Sequence, residues 1–292
     1  MVELITHTSA ELGIPLAAEK HVSPRTKLTF PGIVLDTAEP TISLPLGKLD
    51  EILGITRSFR GKSSCTRLEL QSLIGSLSFA SKCIPAGRLF TRRLIKLLPT
   101  RRNSVNNLDD EAQQDRWEEC LPKWNGQAPF LDPRWLSPAI THLFTDASAT
   151  LGFGGYFQHE WFNCRWPDSV LSSNPSIELM ELFPILVACA IWGDQFYRKR
   201  ILFHCDNLGT CQAWQNLRSI SSPVLALMRR IVCVAAEKNF VLNVVHIPGL
   251  RNTTADSMSR FQMSRFRALD PQANIEGHLI PPELLRPLCS LL

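Results

Sequence analysis

Four acidic residues in this chain stand where side chains can be assembled into a reactive site. Asp146 ends an apolar run in Phe144-Thr-Asp-Ala-Ser, and Asp206 ends another in His204-Cys-Asp-Asn. Glu181 lies near the start of a long apolar helix, and Asp256 lies in a short late one. Ligands in α/β folds gather outside the carboxyl ends of parallel strands, where both aspartates are expected. Three or four carboxylates cannot stay ionised side by side unless cations compensate them. Such a set reads as a site for Mg2+, which prefers hard carboxylate oxygens and keeps several waters. Two such ions about 4 Å apart can activate a water and stabilise the leaving oxygen of a phosphodiester. Each residue alone also has an ordinary reading: an Asp after a strand commonly caps a helix, and an isolated helix Glu commonly decorates a surface. His246, on the last strand, fits equally a satisfied core histidine. Glu178 shares a helix face with Glu181 at i, i+3 and is the alternative for its place. The register Leu182, Ile185, Ala188 favours Glu181.

The elements that must position these acids are read from hydrophobic period. Residues 139–146 alternate like a strand, and 151–157 and 160–166 read as two more, joined by turn residues. A helix over 178–192, a strand over 200–205, a helix over 223–238, a strand over 240–247 and a short helix over 253–260 follow. Asn252 or Thr253 is the expected N-cap of the last. Pro184 has no backbone N–H, so the regular part of the first helix is expected to begin near Glu181. The order predicts three meandering strands, then strands that crossover helices place parallel to the first. Upstream, residues 3–12 read as a helix ending at Gly13, and 28–35 as a strand interrupted at Pro31-Gly32. Residues 46–98 show apolar spacings of three and four, with Thr66 and Glu69 as a capping box. One helix is expected at 108–121 within an irregular connector, and 263–292 as a loosely packed tail.

Composition bounds the classes. The chain has 292 residues, net charge +4, 45% hydrophobic and 20% charged residues, which describes a globular protein of about two domains. Its longest apolar run, Leu182–Trp192, is too short to span a bilayer, so no membrane role is expected. The first residues lack a basic segment and a long apolar stretch, so no secretory leader is expected. Nine cysteines without a C-x-x-C pair imply reduced thiols in the cytosol or nucleus. Charge is unevenly spread. Residues 48–102 hold twelve Lys or Arg against Asp50, Glu51 and Glu69, a balance of +9. Residues 109–119 hold six acids against Arg116, a balance of −5. Such segregation marks a polyanion-binding module or a solvated helical face.

Thr145-Asp-Ala-Ser, Glu181-Leu-Phe-Pro-Ile-Leu-Val-Ala, Cys205-Asp-Asn and the run from His246-Ile-Pro-Gly through Asn252 to Asp256-Ser-Met-Ser-Arg occur in that order. Together they resemble the ribonuclease H domain of retroelement polyproteins. The resemblance implies an α/β fold with a five-stranded mixed sheet and flanking helices over residues 139–262. It also implies metal-binding roles for Asp146, Glu181, Asp206 and Asp256, with His246 assisting proton transfer or product release. The implied cofactor is a pair of Mg2+ ions, for which Mn2+ substitutes, and the implied partner is an RNA–DNA hybrid. Residues 12–20 and 28–36 resemble the end of a reverse transcriptase palm, with Lys20 and the Phe30–Gly32 turn at matching places. Residues 70–80 resemble its thumb helices, and Trp124-Asn-Gly resembles a connector of tyrosine-recombinase (DIRS-like) retrotransposons. The organisation this implies is a palm remnant (1–45), a thumb-like region (46–104), a connector (105–138), the ribonuclease H-like domain (139–262) and the tail.

From this resemblance and the basic stretch, Lys62, Arg67, Lys82, Arg88, Arg92, Arg93 and Asn207 are expected to contact nucleic acid. No Tyr-x-Asp-Asp occurs in the chain, so no polymerase activity is expected. The expected activity is hydrolysis of the RNA strand of a hybrid. The alternative is a remnant that binds nucleic acid and leaves its carboxylates unused.

Overall fold

The computed structural model describes residues 2–17, 22–39, 41–60, 62–84, 86–98, 106–107, 121–122, 128–129 and 140–285. The first of these form helix α1 (Val2–Glu11), closed by Gly13 at φ +68°, then strands β1 (Lys27–Thr29), β2 (Val34–Asp36) and β3 (Thr41–Ser43). Gly32, at φ +80°, makes the turn between β1 and β2 that the Pro31-Gly32 pair predicts. Helices α2 (Leu46–Phe59) and α3 (Arg67–Ala80) flank the two-residue strand β4 (Ser64–Cys65), and α4 (Arg88–Lys96) follows. The capping box forms as expected: Glu69 N–H donates to the Thr66 hydroxyl, and the Thr66 N–H donates to the Glu69 carboxylate. Short strands β5 (Asn106–Asn107) and β6 (Ala128–Pro129) pair with β4 and β3. The expected helix at 108–121, Lys20, Trp124 and the Arg93 side chain lie outside the described residues.

The second half is built on a five-stranded sheet. Strands β7 (Ile140–Ala147), β8 (Gly152–Phe157) and β9 (Glu160–Arg165) form an antiparallel meander. A short helix α5 (Asp168–Ser172) and the long helix α6 (Ile177–Trp192) lead to β10 (Arg200–Cys205), which pairs parallel with β7. Helices α7 (Leu208–Gln215) and α8 (Ser222–Glu237) lead to β11 (Val241–His246), parallel to β10. The order is β11-β10-β7-β8-β9. Helices α9 (Thr253–Ser259) and α10 (Met263–Leu269) close the described fold.

Alternation along the strands assigns the two faces. Leu143, Phe153 and Phe162 join a core beneath α6 and α8, while Phe144, Tyr156 and Trp161 pack with Met258 and Phe266 under α9 and α10. The first core is continuous with Leu49, Ile52, Leu70, Leu89 and Phe90 of the helical region. Arg229 of α8 secures that junction, its Nε donating to the Leu89 carbonyl at 3.2 Å.

Two expectations need correction. Helix α6 begins at Ile177, not near Glu181: the Ser176 hydroxyl caps it at the Leu179 N–H, and Pro184 sits inside it. Burial along nearly the whole helix outweighs the one backbone hydrogen bond the proline removes. The segment after 262 is also better packed than its composition implies, because α10 buries Phe266 and Gly277 lies against the Trp161 ring. No helix among the described residues is long and apolar enough to cross a membrane.

Candidate active site

Strands β7, β10 and β11 lie side by side and parallel, with His204 level with Phe144 and Cys205 level with His246. Their carboxyl ends therefore share one edge of the sheet. Asp146 sits near the end of β7, Asp206 directly follows β10, and His246 ends β11. Helix α6 brings Glu181 to the same edge as a buried residue. Ligand atoms of Glu181, Cys205 and Asp206 lie within 4.8 Å of one another. Helix α9 reaches the site because Gly154 of β8 has no side chain there: a Cβ would stand 2.7 Å from that of Met258.

Asp146 is held from both sides. The Ser259 hydroxyl donates to its Oδ2, and Asn252 Nδ2 donates to the Thr145 carbonyl at 2.9 Å and to Asp146 Oδ1 at 3.4 Å. Asn252 is thus not the side-chain cap of α9 that its position predicts; it turns inward. Burial pushes Asp146 up to about 7, with help from Asp206 and Asp256 and against the Ser259 hydroxyl. Burial likewise raises Glu181 well above the usual range, joined by the charges of Asp146 and Asp206. The Cys205 thiol lies 3.7 Å from Glu181 Oε2. Asp206 is raised by burial and by Asp256, with His246 and Arg260 opposing. Asp256 behaves differently. Burial would raise it, but Arg260 and Arg265 outweigh burial and hold it low. Arg260 Nε donates to Oδ1 at 2.5 Å and Arg265 Nη1 to Oδ2 at 2.7 Å.

Three crowded carboxylates with raised proton affinity are a donor set that fits a hard divalent cation. Of the two candidate glutamates, Glu181 belongs to this cluster. Glu178 instead lines a groove of about 970 Å³ beside it, with Gln212, Asn216, Arg218, Ser221 and, from α4, Arg92. Among the described basic residues expected to contact nucleic acid, Arg92 is the one that reaches this groove. Lys62 pairs with Glu69 at 3.1 Å and lies over the Phe59 ring, and Lys82 lies over Phe79. Arg67 opens α3 and Arg88 opens α4. The Asn207 side-chain oxygen is engaged in capping α7, accepting from the Thr210 N–H at 2.9 Å. Sequence reasoning overlooked Ser259, Arg260 and Arg265. The i, i+3 and i, i+4 spacings of the first two from Asp256 were the available signal.

No family model and no curated protein matches the chain. Among solved structures, a foamy viral protease-reverse transcriptase bound to double-stranded DNA aligns with 84% of this chain and 42% of its own, at 13% identity and a TM-score of 0.39. The same viral protein bound to an RNA/DNA hybrid aligns with 84% and 33%, at 14% identity and 0.35. RNase H1 from the halophilic archaeon Halobacterium salinarum NRC-1 aligns with 45% of this chain and 98% of its own, at 15% identity and 0.31. The chain thus spans less than half of either viral chain. The mixed five-stranded sheet with its flanking helices fits a ribonuclease H-like fold.

Proposed function

We propose that this chain is a metal-dependent endonuclease that hydrolyses the RNA strand of an RNA–DNA hybrid. In the same reading it derives from a retroelement reverse transcriptase of the tyrosine-recombinase group and acts in the cytosol or nucleus. The observation that carries the proposal is the meeting of Asp146, Glu181 and Asp206 at the carboxyl ends of adjacent parallel strands, with Asp256 close enough to act on two of them. Asp146, Glu181, Asp206 and Asp256 would hold two divalent cations, Mg2+ or Mn2+, which supply water activation and charge stabilisation at the leaving oxygen. Ser259 and Asn252 fix the Asp146 carboxylate, so the site needs little reorganisation. His246, exposed beside Asp206, can exchange a proton with solvent at the rim. The hydroxyls and amides of Ser221, Gln212 and Asn216 offer partners for the 2′-hydroxyls that distinguish RNA. Arg92 would extend that contact onto the helical region, which serves as the palm- and thumb-like support.

The test is cleavage of a labelled hybrid in Mg2+, with single-stranded and duplex DNA as controls. The proposal expects hybrid-specific cleavage that chelator and Asp146→Asn abolish; cleavage of DNA alone would make the chain a different nuclease of this fold. A second reading, a nucleic-acid-binding chain that leaves its carboxylates unused, draws on the pairing of Asp256 with two arginines. Hybrid binding without cleavage in any metal would favour it.

A further inference from the structure

Resting on the metal-site reading above, the inference concerns how that site is kept without a metal. Both oxygens of Asp256 are taken, Oδ1 by Arg260 and Oδ2 by Arg265, at 2.5 and 2.7 Å. The two arginines come from different places. Arg260 follows α9 four residues after Asp256, and Arg265 lies in α10, where Gln262 Oε1 also accepts from it at 3.0 Å. The Arg260 charge reaches Asp146 and Asp206 as well as Asp256. Both side chains are nearly half exposed, at 49% and 44%, while Asp256 is 24% exposed. A pair this open to water is weak enough to be exchanged, unlike one sealed in the core.

We propose that Arg260 and Arg265 form a resident counter-charge that occupies Asp256 until a divalent cation displaces it, and so set the cation concentration at which the site fills. The exchange breaks no covalent bond: two guanidinium–carboxylate contacts open, and Asp256 turns to the incoming ion. A cation entering beside Arg260 meets a repelling charge and must also take a ligand already engaged. Removing either arginine should therefore tighten cation binding and loosen the metal-free fold. A unit charge about 6 Å from a dication, screened as in water, changes affinity roughly tenfold.

The experiment is calorimetric titration of Mn2+ into the full chain and its Arg260→Gln, Arg265→Gln and double variants, with chelator-treated thermal midpoints recorded in parallel. The double variant is expected to bind Mn2+ about tenfold tighter or more, with a lower metal-free midpoint. Arg260→Lys, which keeps the charge, should restore parental affinity. In an Asp256→Asn background Arg265→Gln should change nothing, because its partner is gone. Unchanged or weaker affinity in the glutamine variants, with normal Mn2+ binding by the parent, would overturn the counter-charge and leave the metal site standing. No Mn2+ binding by the parent would overturn both.

Discussion

Asp146→Asn separates two consequences of one buried carboxylate. Asp146 is 4% exposed, and burial, with the charges of Asp206 and Asp256, lifts its pKa from 3.8 to about 7. Between those values the folded chain holds a proton that the unfolded chain has lost. Stability of the metal-free chain therefore falls as pH rises through this window and levels off above about 7. At about 1.4 kcal/mol per tenfold in proton affinity, Asp146 costs the fold about 2 kcal/mol at pH 5 and about 4 at pH 8. Asparagine has no such proton to lose, and its carbonyl still accepts from Ser259. In chelator the variant should be the more stable protein, its advantage growing by about 2–3 kcal/mol from pH 5 to pH 8. Urea unfolding followed by tryptophan fluorescence at the two pH values measures this directly. Mn2+ should stabilise the parent at pH 8 and do little for the variant, and hybrid cleavage should drop by on the order of a thousandfold. A variant no more stable than the parent at pH 8 in chelator would refute the buried-repulsion argument. Full cleavage by it would remove Asp146 from the chemistry.

Ser259→Ala removes the hydroxyl on Asp146 Oδ2 and should weaken cation affinity about 10- to 100-fold, read by Mn2+ titration of cleavage; parental affinity would show that Asp146 needs no such support. Gly154→Ala puts a methyl against Met258 at 2.7 Å and should destabilise the fold by about 1–3 kcal/mol in urea unfolding while lowering cleavage, since α9 must back away; a neutral effect would mean that close approach is not required. Arg88→Gln with Arg92→Gln should flatten the dependence of log hybrid affinity on log salt by about 1–2 in slope. Substitution is the sound test of the basic helices, because deleting them would strip the shared core around Leu89 and Phe90. An unchanged slope would reduce those helices to a solvated face.

Much of the second half of the fold is legible because its elements are set by period. The alternation of β7, the continuous apolar strand β11 and the amphipathic α8 each follow from residues a few positions apart. Where expectation failed, the deciding term was tertiary. The reading of Pro184 weighed one lost hydrogen bond against local propensity, whereas Leu182, Phe183, Ile185 and Leu186 are all buried against the sheet. The same holds for Phe266, whose partners Trp161 and Tyr156 come from strands a hundred residues earlier. Asn252 was read as a cap because caps are local; its side chain is instead claimed by Thr145 and Asp146 across the sheet.

The candidate site divides in the same way. Asp146 and Asp206 are visible in sequence because each ends an apolar run, and the strand direction then carries both to one edge. Glu181 and Glu178 could not be separated by spacing alone, since residues three apart share a helix face. Burial separates them, leaving one in the carboxylate cluster and the other along the groove. What the linear pattern hides is the balancing charge. Four acids counted along the chain suggest a site of four negative charges, yet Arg260 and Arg265 converge on Asp256, and Arg260 also acts on Asp146 and Asp206. Three of the acids keep raised proton affinity while the fourth is held low. The site is therefore half compensated by the chain itself, and the remaining negative charge is where a cation gains most. That uneven balance arises from the packing of α9 and α10 on the sheet, which no count of charges along the sequence contains.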